Sequence, residues 1–123
     1  MDTLHNLLSV YPDEPAGGAG HNKRFVYVDD AAAFTITNQS LIICDPGAFG
    51  AAQTVNLPPI STNVFLDLLR TITIKNDTLT GSLNVTILPD GGETIEGSIS
   101  LVLKKGESVE LAPNFNTSNW SII

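Results

Sequence analysis

The sequence has few of the residues on which most enzymes and nucleic-acid-binding proteins depend. Charged side chains make up only 15% of the 123 residues, and acidic residues outnumber basic ones, which gives a formal net charge of −7. An excess of carboxylates repels phosphate groups, so we expect neither nucleic acid nor a membrane surface as a partner. The sequence also lacks an apolar run of 18 residues, the length that a membrane-spanning helix needs.

Cysteine and histidine are nearly absent as well. The single cysteine, Cys44, excludes an internal disulfide framework and a cysteine-based zinc site. It ends the apolar run LIIC and precedes Asp45, a setting that favours a buried and unreactive thiol. His5 and His21 have no recognisable nucleophile elbow nearby. We therefore expect no catalytic residues and no enzymatic activity.

Acidic residues between apolar runs are the remaining candidates for a ligand site. They are Asp29, Asp30, Asp45, Asp90 and Glu93. Carboxylates bind calcium, but the pattern of an EF-hand loop is missing, and turn formation accounts better for these positions. Glycoside hydrolysis would need two carboxylates facing each other across a cleft, and the sequence singles out no such pair. We expect no metal and no cofactor.

The first 22 residues differ in composition from the remainder. Leu4, Leu7 and Leu8 share one side of a segment too short to be a stable helix alone, and residues 11–22 read YPDEPAGGAGHN, which is typical of a linker. A basic start and a long apolar stretch are missing, so we expect no signal peptide. We predict a flexible arm over 1–22, which binds a partner through Leu4, Leu7, Leu8 and Tyr11, and one β domain over 23–123.

Short β-prone runs separated by turn residues follow Lys23. In the second half, residues 71–75 and 83–88 alternate between apolar and polar side chains, which is typical of antiparallel sheets with one buried face. The pattern predicts an all-β fold, an antiparallel, jelly-roll-like β-sandwich of about eight strands. The residues expected to be buried together are Ile72, Ile74, Val85, Ile87, Leu101 and Val109.

One hairpin can be given a register from the sequence. If Leu103 pairs with Glu107, then Leu101 faces Val109 and Ile99 faces Leu111, all on one side. Gly106 then occupies the last loop position, where a three-residue hairpin needs a left-handed residue. The final run, 118–123, predicts a strand with Trp120 and Ile122 on one face.

The region from Gln53 to Ile123 resembles virion proteins of bacteriophages, including head-surface proteins and the ends of tail fibres. The matching segments are QTVNLP (53–58), TITIKND (71–77), NVTILPDGGETIEG (84–97) and LVLKKGESVELAPNFNTSNWSII (101–123). The resemblance implies a β-sandwich that assembles on a phage particle, often as a trimer, and it implies no catalytic residues.

These observations together predict a capsid decoration (cement) protein that binds the outer head surface and stabilises the shell. Its expected partners are itself, as a homotrimer, and the major capsid protein or another virion protein. Its expected location is the virion, after assembly in the host cytoplasm. Two alternatives stay open: a tail-fibre or head-fibre adhesin that binds host glycans, and a carbohydrate-binding β-sandwich module. The sequence has only one tryptophan and two tyrosines for stacking on sugars.

Overall fold

The computed structural model describes residues 24–60 and 71–123, and this part of the chain consists mainly of β-strands. The strands are β1 (Phe25–Val28), β2 (Ala33–Thr35), β3 (Leu41–Cys44), β4 (Gln53–Asn56), β5 (Ile72–Asn76), β6 (Val85–Leu88), β7 (Thr94–Ile95), β8 (Leu101–Leu103), β9 (Ser108–Asn114) and β10 (Asn119–Ile122). One short helix, α1 (Pro46–Phe49), follows β3. The predicted all-β class is confirmed.

The first six strands alternate between two sheets. Strands β1, β3 and β5 pair in parallel in one sheet, here called sheet A, and β2, β4 and β6 pair in parallel in the other, sheet B. Parallel neighbours need a crossover connection, which is usually a helix. In this chain the connection between two parallel neighbours contains a strand of the other sheet. The first six strands therefore follow the path of a flattened coil.

The last four strands complete both sheets. Strand β8 joins sheet B antiparallel to β6, and β9 joins sheet A antiparallel to β5. Strand β10 then runs antiparallel to β9, and the short β7 lies parallel to β10 at the far edge of sheet A. The strand orders in the described residues are β1-β3-β5-β9-β10-β7 and β2-β4-β6-β8.

The antiparallel, jelly-roll-like arrangement predicted from the sequence is not confirmed. Of the eight strand pairings in the described residues, five are parallel and three antiparallel. The reason is that alternation of apolar and polar residues shows only that a strand has one buried and one outer face. A coil of two facing sheets produces the same alternation as an antiparallel sandwich, and therefore the same sequence pattern.

The two sheets share one hydrophobic core. Ile72 and Ile74 from sheet A are fully buried, as are Val85 and Ile87 from sheet B, and all four belong to a single cluster that includes Trp120. Val109 also belongs to it. Leu101 is half-buried and packs against this cluster. The predicted core is therefore confirmed at five of its six positions, and Leu101 lies at the margin.

The turn predicted between β8 and β9 is present, but the two strands do not pair with each other. Glu107 N donates to Lys104 O at 2.9 Å, and Gly106 has a φ of 81°, as the turn prediction required. However, the chain crosses from sheet B to sheet A at this turn. Leu103 pairs with Val85 in sheet B.

The same crossing changes the neighbours of the remaining hairpin residues. Val109 and Leu111 pair with Ile74 and Ile72 in sheet A, not with strand β8. Ile99, expected opposite Leu111, lies before β8 and is 81% exposed. At the end of the chain, Trp120 is buried as a core residue, whereas Ile122 is 43% exposed near the end of its strand.

The predicted arm, 1–22, and its proposed partner-binding residues Leu4, Leu7, Leu8 and Tyr11 lie outside the described residues. Within 24–60 and 71–123, no helix is long and apolar enough to cross a membrane.

Candidate functional site

Among the described residues, those singled out for chemistry do not form one cluster. Cys44 is fully buried at the end of β3, and burial raises the pKa of its thiol to about 12. A thiol with that pKa is protonated at neutral pH and is a poor nucleophile. His5 and His21 lie outside the described residues.

Aspartates collect where the parallel strands of sheet A end. The strand ends Val28, Cys44 and Asn76 lie side by side in the register, and each is followed by an aspartate: Asp29, Asp45 and Asp77. Sequence reasoning found the first two and missed the third, because Asp29 and Asp45 directly follow the apolar runs of β1 and β3, whereas β5 ends in the polar residues Lys75 and Asn76. In the part of the chain that the structure describes, no three His, Cys, Asp or Glu side chains are placed to hold a metal ion.

Asp45 has a structural role at this edge. Its Oδ1 accepts from Ala48 N at 3.0 Å, which caps α1, and its Oδ2 accepts from the Tyr27 hydroxyl at 2.6 Å. Burial, and secondarily the contact with Asp45, raises the pKa of the Tyr27 hydroxyl far above its usual value. The phenol therefore stays neutral and acts as a donor, holding β1 against the turn after β3.

Glu93 also supports backbone rather than a ligand. Both of its carboxylate oxygens accept from Ile60 N, at 3.2 and 3.0 Å, which ties the segment after β4 to the turn after β6. Burial is the main reason that the pKa of Glu93 is raised above its ordinary value. Sequence reasoning placed Glu93 in a turn but gave no sign of this long-range contact.

A groove of about 510 Å³ lies where the parallel strands of sheet B end. Pro58, Pro59 and Pro89 contribute to its walls, and proline ends a strand because it cannot donate to the ladder. Polar side chains line it after all three strands, and Asn56 Nδ2 donates to Thr35 Oγ1 at 3.3 Å. The volume lies within the range of small-ligand sites.

The outer surface of sheet B has no charged side chain within its strands. Alternate residues of β2, β4, β6 and β8 face the core, so the residues between them face outward. The register places them in two rows: Ala33, Thr54, Thr86 and Val102 in the first, and Thr35, Asn56 and Leu88 in the second. We call these seven side chains the sheet B face, and all of them are uncharged.

The outer surface of sheet A differs in charge. Its central strand β5 presents Thr73 and Lys75, and the neighbouring β9 presents Glu110 beside Thr73. Glu110 Oε2 also accepts from the Thr71 hydroxyl at 2.7 Å. The outer surface of sheet A therefore carries charged side chains on its middle strands, whereas the sheet B face carries none.

No protein-family model matches the sequence, and no curated protein is significantly similar to it.

Proposed function

We propose that this chain is a non-catalytic structural protein of a bacteriophage particle, a capsid decoration protein that self-associates and binds the outer head surface. The observation that carries self-association is the uncharged sheet B face on a chain with a net charge of −7. The phage setting rests on the resemblance of residues 53–123 to virion proteins.

The roles of the polar residues support a structural rather than a catalytic protein. Asp45 caps a helix and accepts from Tyr27, while Glu93 holds the backbone of Ile60. Catalytic acids and nucleophiles need free, accessible atoms in a shared cleft. Among the described residues with a raised pKa, the Tyr27 hydroxyl donates to Asp45, the Glu93 carboxylate accepts from the backbone of Ile60, and Cys44 is buried in the core.

We propose further that the assembly is a homotrimer, and that residues 1–22 attach it to the major capsid protein or another virion protein through Leu4, Leu7, Leu8 and Tyr11. Three tethered arms would act at high effective concentration, so that three weak contacts give stable attachment.

Two measurements on the full chain test this function. Sedimentation equilibrium should give a trimer, and a monomer of 13.1 kDa at high micromolar concentration would overturn it. In the second, shells lacking the protein are incubated with a variant in which Leu4, Leu7 and Leu8 are serine. This variant should remain trimeric and fail to bind, whereas a control with His5→Ala and Asn6→Ala should bind normally. Saturation of the shells by the triple variant would show that the β domain, and not the arm, makes the attachment.

The groove at the end of sheet B favours a second candidate, an adhesin or a module that binds glycans. Hydroxyls of Thr35 and Thr37, the Asn56 amide and the Asp90 carboxylate could exchange hydrogen bonds with a sugar. An NMR titration with neutral hexoses distinguishes the candidates: shifts confined to the groove residues and lost in Asn56→Ala would favour glycan binding over decoration.

A further inference from the structure

We propose that Asp90 and Gly91 form a site of spontaneous backbone modification, at which the aspartate isomerises to isoaspartate and reshapes one wall of the groove at the end of sheet B. The reaction needs no enzyme and no reagent other than water. It is independent of the self-association and the attachment in the proposed function, because it concerns a single turn of the β domain.

The turn after β6 leaves both reacting groups free. Asp90, Gly91 and Gly92 are exposed, and Glu93 N donates to Asp90 O at 2.9 Å across the turn. Within the described residues, neither the Asp90 carboxylate nor the Gly91 N–H makes a hydrogen bond. Gly92 has a φ of 84° and the space around Gly91 is open, so this backbone can move toward the conformation that the reaction requires.

The reaction is a ring closure followed by a ring opening. Gly91 N attacks Cγ of Asp90, a bond forms between these two atoms, and a carboxyl oxygen leaves as water, which gives a cyclic succinimide. Water then adds to either ring carbonyl. Cleavage of the bond from nitrogen to Cγ restores aspartate, whereas cleavage of the bond from nitrogen to the Asp90 carbonyl carbon gives isoaspartate. A water molecule leaves and another enters, so the mass is unchanged and nothing is oxidised or reduced.

The glycine that follows the aspartate distinguishes this position from the others. Asp90-Gly91 is the single place in the sequence where an aspartate or an asparagine precedes a glycine. A side chain on the following residue hinders the approach of its nitrogen to the carboxyl carbon. Asp29 and Asp30 are also exposed, but the residues that follow them, Asp30 and Ala31, carry side chains. They should therefore react more slowly.

Two other aspartates are protected, one by the sequence and one by the fold. Asp45 is followed by Pro46, which has no N–H to take part in ring closure. Asp77 is followed by Thr78, which is buried and whose N–H donates to Asn76 Oδ1 at 3.0 Å. Ring closure at Asp77 would break this buried hydrogen bond, so the reaction there should require unfolding.

Isoaspartate at this position changes the groove. It adds a methylene to the main chain, and it makes Asp90 O, the acceptor of Glu93 N, part of a free carboxylate. Pro89, Asp90 and Gly91 line the groove on this side. Glu93 also accepts from Ile60 N at 3.0 Å, directly after the two prolines of another wall, so a shift of the turn is transmitted to that wall.

Peptide mapping of the folded full-length chain tests the proposal. The chain is kept at neutral pH and physiological temperature for several weeks, and electron-transfer fragmentation distinguishes aspartate from isoaspartate of the same mass. Isoaspartate should accumulate at Asp90 and stay near its starting level at Asp77. Equal accumulation at the two positions in the folded chain overturns the proposal, as does isoaspartate at Asp90 that appears only in denaturant.

Two substitutions identify the reacting groups. Gly91→Ala fits the open space and should lose most of the isoaspartate, because the added methyl group hinders the nitrogen. Asp90→Glu should lose it entirely, because the larger ring that glutamate would form closes far more slowly. Asp29→Glu, in another exposed turn, is the matched control and should leave the product at Asp90 unchanged. Undiminished isoaspartate in Gly91→Ala overturns the proposal.

The effect on the groove is measured at Ile60. Amide NMR spectra of the aged wild-type chain should show a second Ile60 signal that grows at the rate at which isoaspartate forms. The same signal should be missing from aged Asp90→Glu. A single, unshifted Ile60 signal in a sample whose Asp90 has isomerised overturns the transmission of the change to the other wall.

Discussion

Asn76 shows how single polar residues hold this fold together. It is fully buried at the end of β5, where Nδ2 donates to Leu83 O at 3.0 Å and to Leu103 O at 2.9 Å, and Oδ1 accepts from Thr78 N at 3.0 Å. One side chain thus links the end of β5 in sheet A to β8 in sheet B. These contacts of Asn76 could not be predicted from the sequence, because a local pattern carries no information about distant backbone partners.

Replacing Asn76 should be costly for this reason. Asn76→Ala leaves two carbonyls and one N–H without their partner in a buried setting, and we expect the unfolding free energy to fall by about 3 kcal/mol. Urea denaturation measures the change. Asn116→Ala, at an exposed loop position, is the control and should be nearly neutral. Equal effects of the two changes would contradict the structural role of Asn76.

Glu93 gives a prediction about pH. Because burial raises its pKa in the folded chain, the folded chain holds this proton more tightly than the unfolded chain does. The side chain therefore contributes stability below the ordinary glutamate pKa of about 4.3, and that contribution is lost as the pH rises through the higher folded value. Glu93→Gln should remove this part of the pH dependence in denaturation experiments. An NMR titration that placed the Glu93 pKa at or below its ordinary value would contradict this expectation.

At the level of secondary structure, the positions of the strands were predicted better than their pairing. The alternating runs 71–75 and 83–88 agree with β5 and β6 to within two residues at each end, because β-prone residues bounded by turn residues are a local signal. Pairing is not local. Leu101 and Val109 were both expected to face inward and do contact the core, but from opposite sheets. Sequence alternation assigns a residue to a face and leaves its neighbouring strand undetermined.

The turn between β8 and β9 can be tested at its glycine. Gly106 has a φ of 81° and open space around its Cβ position, so the cost of alanine there comes only from the left-handed backbone. We expect Gly106→Ala to lower the unfolding free energy by about 1 kcal/mol. Gly91→Ala is the matched control, since Gly91 also has open space and lacks the left-handed φ. A neutral Gly106→Ala would show that the turn adjusts its conformation.

For the whole molecule, the sequence predicted the composition of its surfaces better than their arrangement. Charged residues make up only 15% of the chain, which indicates that part of its surface carries no charge. Which side chains form that surface depends on the coil of alternating sheets, which places Thr54 beside Thr86 although 31 residues separate them. The groove was not foreseen for the same reason, since its walls come from three separate strand ends.

Net charge and a neutral interface together predict how association depends on salt. Repulsion between copies of charge −7 acts over about 30 Å at 10 mM salt and about 8 Å at physiological ionic strength. If the sheet B face makes the contact, added salt removes this repulsion without breaking any charged pair, and association measured by sedimentation should strengthen. Thr73→Lys adds one positive charge away from the face and so lowers the net negative charge by one unit; it should strengthen association slightly at 10 mM salt and have little effect at 150 mM. Dissociation on adding salt would mean that ion pairs hold the copies together, and such pairs cannot come from the uncharged side chains of the sheet B face.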